Sequence, residues 1–143
     1  GLEIDTMGRI YIAVRGSNFI TRIDDISGTN RVDLGGFISP KDVALDSTGR
    51  IYVADESGEV TRVDDMAGTN RVSTSLGFNN QIRGVDIGVG DQIFVADTGN
   101  DRIARFDDMA GTNLTFYGST GTGVDQFDYP NDIDVPGPFA VGP

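Results

Sequence analysis

Acidic and amide side chains recur in this sequence in a form that could bind a metal ion. The segment Asp-Asp-Met-Ala-Gly-Thr-Asn occurs at Asp64–Asn70 and again at Asp107–Asn113, and Asp-Asp-Ile-Ser-Gly-Thr-Asn occurs at Asp24–Asn30. Carboxylate and amide oxygens are ligands that calcium accepts. However, the copies lack the alternating ligands and the distant glutamate of an EF-hand loop. Glycine tolerates a positive φ, and Asp and Asn bond the amides of their own turn, so we interpret the segment as a copied turn.

The copied turn belongs to a repeat of roughly 42 residues that runs along the chain. Ile-Tyr-Ile-Ala begins at Ile10, Ile-Tyr-Val-Ala at Ile51 and Ile-Phe-Val-Ala at Ile93, and each is followed by a second segment that alternates apolar with polar residues. Such alternation predicts half-buried strands. Four short strands per repeat are typical of a β-propeller blade. We call the strands of a blade a to d, from the propeller axis outward.

The sequence therefore predicts an all-β fold with three four-stranded antiparallel blades and one extra innermost strand. A blade cannot bury both of its apolar faces alone, so the blades must stack around an axis. Phe127 and Tyr129 are expected to dock between blades, and almost no helix is expected. The predicted boundaries are 1–36, 37–77 and 78–118 for the blades, 119–130 for a connector, 131–135 for the extra strand and 136–143 for a Pro/Gly-rich tail.

Two stretches resemble the repeats of the NHL family. Pro40-Lys-Asp-Val-Ala-Leu-Asp-Ser-Thr-Gly-Arg-Ile-Tyr-Val-Ala-Asp55 resembles the first half of such a repeat, and Ala96-Asp-Thr-Gly-Asn-Asp-Arg-Ile-Ala-Arg-Phe106 resembles the second. The resemblance implies a β-propeller, most often six-bladed, so three repeats would supply about half a ring. It also implies that Asp55 and Asp97 support the adjoining loops, where Arg102 is a candidate partner.

Composition limits the partners and the chemistry. The chain has a net charge of -11, which argues against nucleic acid as a partner. It has no apolar run long enough to span a bilayer, so membrane insertion is not expected. It contains no cysteine and no histidine, which removes the usual nucleophile, base and zinc ligands. The compartment is not fixed, although an extracellular or periplasmic location is favoured.

Two functions remain open on these grounds. Enzymes of this fold, such as lyases, resemble one another in using histidine, so the first expectation is a non-enzymatic scaffold or recognition module without catalytic residues or a cofactor. The alternative is a carboxylate-based, calcium-dependent lactonase or a lyase-like enzyme. For this alternative the metal-ligand candidates are Glu3, Asp86 and Asp134, which occupy matching places on the innermost strands, with Ala44 interrupting the set.

The loops that join strands b to c and d to a are the expected binding face, because they differ between the repeats while the turns are copied. The candidate residues there, for a protein or glycan partner, are Arg15, Asn18, Lys41, Glu56, Glu59, Arg83, Asn100 and Asp101. Both ends of the chain fall inside a repeat, and three blades do not close a ring. We therefore expect either a homo-oligomer, most simply a dimer, or a longer propeller chain that supplies the remaining blades.

Overall fold

The computed structural model describes residues 1–138, and the part of the predicted tail at 139–143 lies outside them. Consecutive strands form three four-stranded antiparallel sheets, each ordered from first to last strand, which confirms the predicted blades. Helical structure among the described residues is confined to two short 3₁₀ turns, Val89–Asp91 and Thr98–Asn100. The strands are β1 (Leu2–Ile4), β2 (Ile10–Ala13), β3 (Phe19–Ile23) and β4 (Val32–Gly35) in blade one, β5 (Asp42–Leu45), β6 (Ile51–Ala54), β7 (Val60–Val63) and β8 (Val72–Thr74) in blade two, and β9 (Ile82–Ile87), β10 (Ile93–Asp97), β11 (Arg102–Phe106) and β12 (Thr115–Tyr117) in blade three.

Each blade has two faces, because successive side chains of a strand point to opposite sides of the sheet. We call the face that carries Tyr52, Ala54 and Val60 in blade two the forward face, and the face that carries Val53 and Val63 the rear face. The forward face of blade two packs against the rear face of blade three in one buried cluster. The forward face of blade one packs against the rear face of blade two in a second cluster. The core therefore lies between blades, and the same interface occurs twice.

The copied segment forms the turn between strands c and d, as predicted. In blade two, Asn70 Nδ2 donates to Asp64 Oδ2 at 2.7 Å, and Thr69 Oγ1 donates to Asp65 Oδ1 at 2.9 Å. The backbone N–H of Asp64 bonds the Thr69 carbonyl at 2.9 Å, and Gly68 has a φ of 78°. The other two copies make the same bonds. The hydrogen bonds that these side chains make thus close within the turn.

Residues after blade three depart from the predicted pattern. Residues 131–135 run beside β9 but form no ladder, so they are not the strand that was predicted, because a strand needs a bonded neighbour. The connector contains a short parallel pair, β13 (Ser119–Thr120) and β14 (Gln126–Phe127), that the sequence did not indicate. Phe127 is half-buried against Tyr117, with ring centroids 6.0 Å apart. Tyr129 is exposed, so the prediction that it docks between blades is wrong.

Candidate functional site

Acidic side chains line the inner, axial side of the blades in two tiers. Glu3, Ala44 and Asp86 pair with equivalent positions of the second strand in their blades, namely Tyr11, Tyr52 and Phe94, so they occupy one tier. Two residues earlier, Asp42 occupies the other tier. Residues 131–135 carry an acid in each tier. The axial carboxylates are Glu3, Asp42, Asp86, Asp132 and Asp134.

Two of these carboxylates bond the innermost segment that follows their own in the chain. Asp42 accepts the N–H of Val43 at 2.9 Å on one oxygen and the N–H of Val85, in the next blade, at 3.1 Å on the other. Asp86 accepts the N–H of Ile87 at 2.9 Å and that of Val135 at 2.8 Å. Each carboxylate therefore links its own innermost segment to the following one.

One tier opens into a cavity of about 470 Å³, which we call the axial cavity. Glu3, Asp86 and Asp134 line it together with apolar side chains that include Ile4 and Leu45. Its rim is formed by the turns between strands a and b. These turns lie at the end of the blades opposite to the b–c loops, so the cavity is not at the predicted binding face.

Burial shifts the proton affinity of the axial carboxylates. The pKa of Glu3 is raised, first by burial and then by the charges of Asp86 and Asp134. Burial also raises the pKa of Asp86, against the N–H bonds that it accepts. Burial raises the pKa of Asp42 to about 6, with Asp132 adding to the effect. Carboxyl groups of this kind keep a proton nearer to neutral pH than exposed ones and can act as acids or bases.

The geometry does not assemble a metal site. Among residues 1–138, no three acidic side chains approach closely enough to hold an ion. Glu3, Asp86 and Asp134, the predicted calcium ligands, line one cavity, but both oxygens of Asp86 already accept backbone N–H groups. The residues that the structure describes therefore do not fit a calcium ion.

The residues expected to support loops make buried bonds. Asp97 accepts from Arg102 Nε at 2.7 Å, from Asn100 Nδ2 at 2.9 Å and from the N–H of Asn79 at 3.1 Å. Asp55 accepts the N–H of Ile38 at 2.9 Å, which ties the b–c loop of blade two to the segment that enters the blade. These carboxylates hold the loop face in shape, and their oxygens are occupied.

The residues expected to bind a partner are divided between exposed and internally bonded positions. Arg15 and Asn18 are exposed, and Glu59 is half-buried. The others contact residues of the chain itself. These contacts are an ion pair between Lys41 and Glu56, a bond from Asn100 to Asp97, a bond from Arg83 to Asn131 at 3.0 Å, and bonds to Asp101 from Thr120 at 2.7 Å and the N–H of Tyr129 at 2.8 Å.

The sequence analysis missed the tier formed by Asp42 and Asp132. Asp42 is the first residue of β5, so its place on the strand depends on where that strand begins. The sequence did contain a signal for this tier, because residues two apart on a strand have their side chains on the same face. An acid or glycine occurs two residues before each position equivalent to Glu3, namely at Gly1, Asp42, Gly84 and Asp132.

Comparison with known proteins supports the fold. Virginiamycin B lyase from Staphylococcus aureus matches with a TM-score of 0.73 and 16% identity, over 94% of this chain and 44% of that chain. A catalytically inactive histidine-to-alanine variant of virginiamycin B lyase from that organism, solved with Quinupristin, gives 0.72 and 16% over the same shares. A streptogramin B lyase gives 0.67 and 16%, over 81% of this chain and 39% of that chain. The chain thus spans less than half the length of these structures, and the likeness shows a propeller-type fold.

The sequence match is shorter. Residues 24–63 match the model of a family described as strictosidine synthase-like, N-terminal, whose members are β-propellers. No curated protein matches the chain in sequence. The NHL resemblance is thus confirmed as far as a β-propeller and no further.

These comparisons also correct the expectation of a non-enzymatic protein. That expectation is contradicted, because the solved structures named above are lyases and the matching family is enzymatic. The lack of histidine argued only against chemistry that depends on histidine, and it left the axial carboxylates open to an acid–base role. No helix within the described part of the chain has the length and apolar character needed to cross a membrane.

Proposed function

We propose that the chain forms part of a β-propeller enzyme of the lyase or hydrolase type, in which carboxyl groups of the axial cavity transfer protons. The observation that carries the proposal is the convergence of Glu3, Asp86 and Asp134 on one cavity whose lining combines polar side chains with a few apolar ones. The likeness to lyases of the same fold supports it. Because the chain has no histidine, the proton transfer falls to carboxyl groups.

Glu3 is the residue assigned to proton transfer. Its Oε1 accepts the N–H of Ile4 at 3.0 Å, which fixes the carboxyl group at the cavity wall. Burial and the neighbouring acids raise its pKa, so it exchanges a proton closer to neutral pH than a free glutamate. In a lyase the carboxylate would take a proton from a carbon next to a carbonyl group; the electron pair of that C–H bond would form a C=C bond as the C–O bond of the adjacent carbon breaks, and the leaving carboxylate would depart. In a hydrolase it would take a proton from the water that attacks an ester or lactone carbonyl, and it would return that proton to the alkoxide oxygen that leaves when the acyl C–O bond breaks.

Asp86 has a different role in this proposal. Both of its oxygens accept backbone N–H groups, which hold the side chain in one orientation. Its negative charge raises the proton affinity of Glu3. Asp86 is therefore a positioning residue. The side chains of Ile4 and Leu45 in the cavity lining would contact an apolar part of the substrate and displace water.

Compounds named with the structurally similar lyases are the first substrates to test. Quinupristin and virginiamycin B, together with a panel of simple lactones, are incubated with the protein and the products are followed by chromatography and mass spectrometry. We expect consumption of at least one compound, and Glu3→Gln should lower its rate by about 100-fold, as loss of a general base does. Asp128→Asn is the matched control, because Asp128 is exposed in the connector and should leave the rate unchanged.

Two results would count against the proposal. One is that no streptogramin and no lactone is consumed. The other is that Glu3→Gln and Asp128→Asn turn over a substrate at the same rate, which would place the chemistry outside the axial cavity.

A further inference from the structure

The turn between strands a and b of blade one places an arginine at the axial cavity. Arg9 Nε donates to Asp5 Oδ2 at 2.6 Å, and the backbone N–H of Arg9 donates to Asp5 Oδ1 at 2.9 Å. The Arg9 side chain is 35% exposed and belongs to the cavity lining. Within residues 1–138, its Nη atoms donate to no other side chain or carbonyl group. A guanidinium has N–H donors beyond Nε, so these atoms can donate to a ligand in the cavity.

Blade two repeats this arrangement outside the cavity. Arg50 Nε donates to Asp46 Oδ2 at 2.6 Å, and the Arg50 side chain is also 35% exposed. Among the described residues, Asp46 lines the cavity whereas Arg50 does not. Blade three has Gly88 and Gln92 at the two positions, so it lacks the ion pair. Arg9 and Arg50 therefore differ mainly in their access to the cavity, which makes Arg50 a matched control.

The other charges in the cavity lining are negative. In the part of the chain that the structure describes, Arg9 is the one cationic side chain of the lining, and the acidic ones are Glu3, Asp5, Asp46, Asp86 and Asp134. Ion pairs with arginine neutralise Asp5 and Asp46. The remaining three carboxyl groups would repel an anionic ligand, whereas a neutral carbonyl oxygen could accept an N–H of Arg9. The lining therefore favours a neutral carbonyl compound over a carboxylate.

The hydroxyl groups in the lining are weaker donors for such a ligand. Three of them already donate to carboxylates, in bonds from Tyr11 to Asp5 at 3.4 Å, from Ser47 to Asp91 at 2.6 Å and from Thr48 to Asp46 at 2.8 Å. Hydrogen bonds from a charged donor are roughly twice as strong as neutral ones. The bond to Asp5 also raises the pKa of Arg9, so the guanidinium keeps its charge.

We propose that Arg9 binds the carbonyl oxygen of a neutral ester or lactone in the axial cavity, and that the surrounding acids exclude the corresponding free acid. This inference rests on the function proposed above, because it concerns the same cavity. When the water that Glu3 deprotonates adds to the carbonyl carbon, the electron pair of the C=O π bond moves to the oxygen. The N–H groups of Arg9 stabilise that negative charge.

The second half of the reaction returns both the charge and the proton. The C=O bond forms again, the acyl C–O bond breaks, and the leaving oxygen takes the proton from Glu3. The carboxylic acid product ionises and then faces Glu3, Asp86 and Asp134 with a charge of the same sign. This repulsion favours its release from the cavity.

Proton–nitrogen NMR of the arginine side chains tests the proposal without any turnover. The probes are δ-valerolactam, which offers a neutral carbonyl oxygen, and δ-hydroxyvalerate, which carries a carboxylate. We expect the lactam to shift the Nε–H signal of Arg9, identified by its loss in Arg9→Lys, and to leave that of Arg50 unchanged. The hydroxy acid should shift neither signal. The proposal is overturned if the lactam leaves the Arg9 signal in place, or if both compounds shift it equally.

A matched pair of variants measures the contribution of the guanidinium. Arg9→Lys should raise the dissociation constant of δ-valerolactam about tenfold, because lysine replaces the planar set of donors by a point charge. Arg50→Lys removes the equivalent bond to Asp46 and should leave the dissociation constant unchanged. Both variants lose a bond of the same length in the same turn, so thermal unfolding should change similarly in both. Equal dissociation constants in the two variants would contradict a role for Arg9 in binding.

The outcome can be separated from that of the proposed function. If a lactone is consumed and Arg9→Lys and Arg50→Lys turn it over at the same rate, the assignment of Arg9 fails while that of Glu3 stands. If the lactam binds at Arg9 and no streptogramin or lactone is consumed, the carbonyl-binding site stands while the proposed enzyme fails.

Discussion

Asp42 holds the innermost strand of the next blade through a single backbone bond, from the N–H of Val85 to its Oδ2 at 3.1 Å. The carboxylate is largely buried, and burial of a charged group costs free energy that two N–H bonds offset only in part. The pKa of about 6 reflects this balance. The bridge between blades two and three is therefore sensitive to pH.

The first prediction concerns the pH dependence of stability. The pKa of Asp42 is about 6 in the folded protein and 3.8 as the ordinary value, so the folded state binds the proton more tightly. The stabilisation that this proton provides is complete below pH 3.8 and is lost as the pH rises through 6. We expect this group to lower the free energy of unfolding by on the order of 3 kcal/mol between pH 4 and pH 7. Urea unfolding of wild type and Asp42→Asn at both pH values isolates its effect, and parallel pH profiles would contradict it.

The second prediction concerns the copied turn and its contact with the preceding blade. Gly68 and Gly28 have φ angles of 78° and 79°, so alanine is strained at either position. We expect each substitution to lower the free energy of unfolding by about 1 kcal/mol. Gly68→Ala should cost more than Gly28→Ala, because its methyl group would lie 3.2 Å from Leu34. Chemical denaturation measures both, and equal losses would show that Leu34 moves aside freely.

The third prediction concerns the buried carboxylate of blade three. Asp97→Ala leaves Arg102 and the N–H of Asn79 without their acceptor. We expect a loss of about 3–5 kcal/mol in the free energy of unfolding, typical of breaking one partner of a buried ion pair. Asp128→Ala, at an exposed position, should change it by less than about 0.5 kcal/mol. If thermal unfolding gives the same small change for both, Asp97 does not support the loop as described.

The fourth prediction concerns metal dependence of the proposed activity. The axial carboxylates do not converge on an ion site within the described residues, and both oxygens of Asp86 are bonded to N–H groups. We expect the rate of substrate consumption to be the same in EDTA and in millimolar calcium. Activation by calcium, lost in Glu3→Gln, would restore the calcium-dependent alternative.

The blades could be predicted well from the sequence because the signals that indicate them are local. Strand alternation and the copied turn both act within about ten residues, and the turn bonds only itself, as Asn70 does with Asp64. The pairing of distant residues was not visible. Arg83 bonds Asn131, 48 positions away, and Lys41 bonds Glu56, so these candidate partner-binding residues also make bonds within the chain.

Part of the candidate site was predicted as well, because the repeat register is also a local signal. Glu3, Asp86 and Asp134 were found from the repeat register, and they share one cavity. Asp42 was missed because its role depends on where β5 begins and on Val85 of the next blade. The alternation of apolar and polar residues in 131–135 could not show whether the segment forms a ladder. A ladder also requires a neighbouring strand, and the alternation does not specify one.

The self-contained turn also bears on how such a chain can grow. Its hydrogen bonds close within seven residues and need nothing from another blade, so each outer hairpin can form early, before distant strands meet. A duplicated blade would include its own copy of the turn from which the outer hairpin can begin to fold. It would have to fit only one forward face and one rear face, which every blade already presents. Gene duplication could therefore lengthen the propeller one blade at a time without any change in the sequence of the turn.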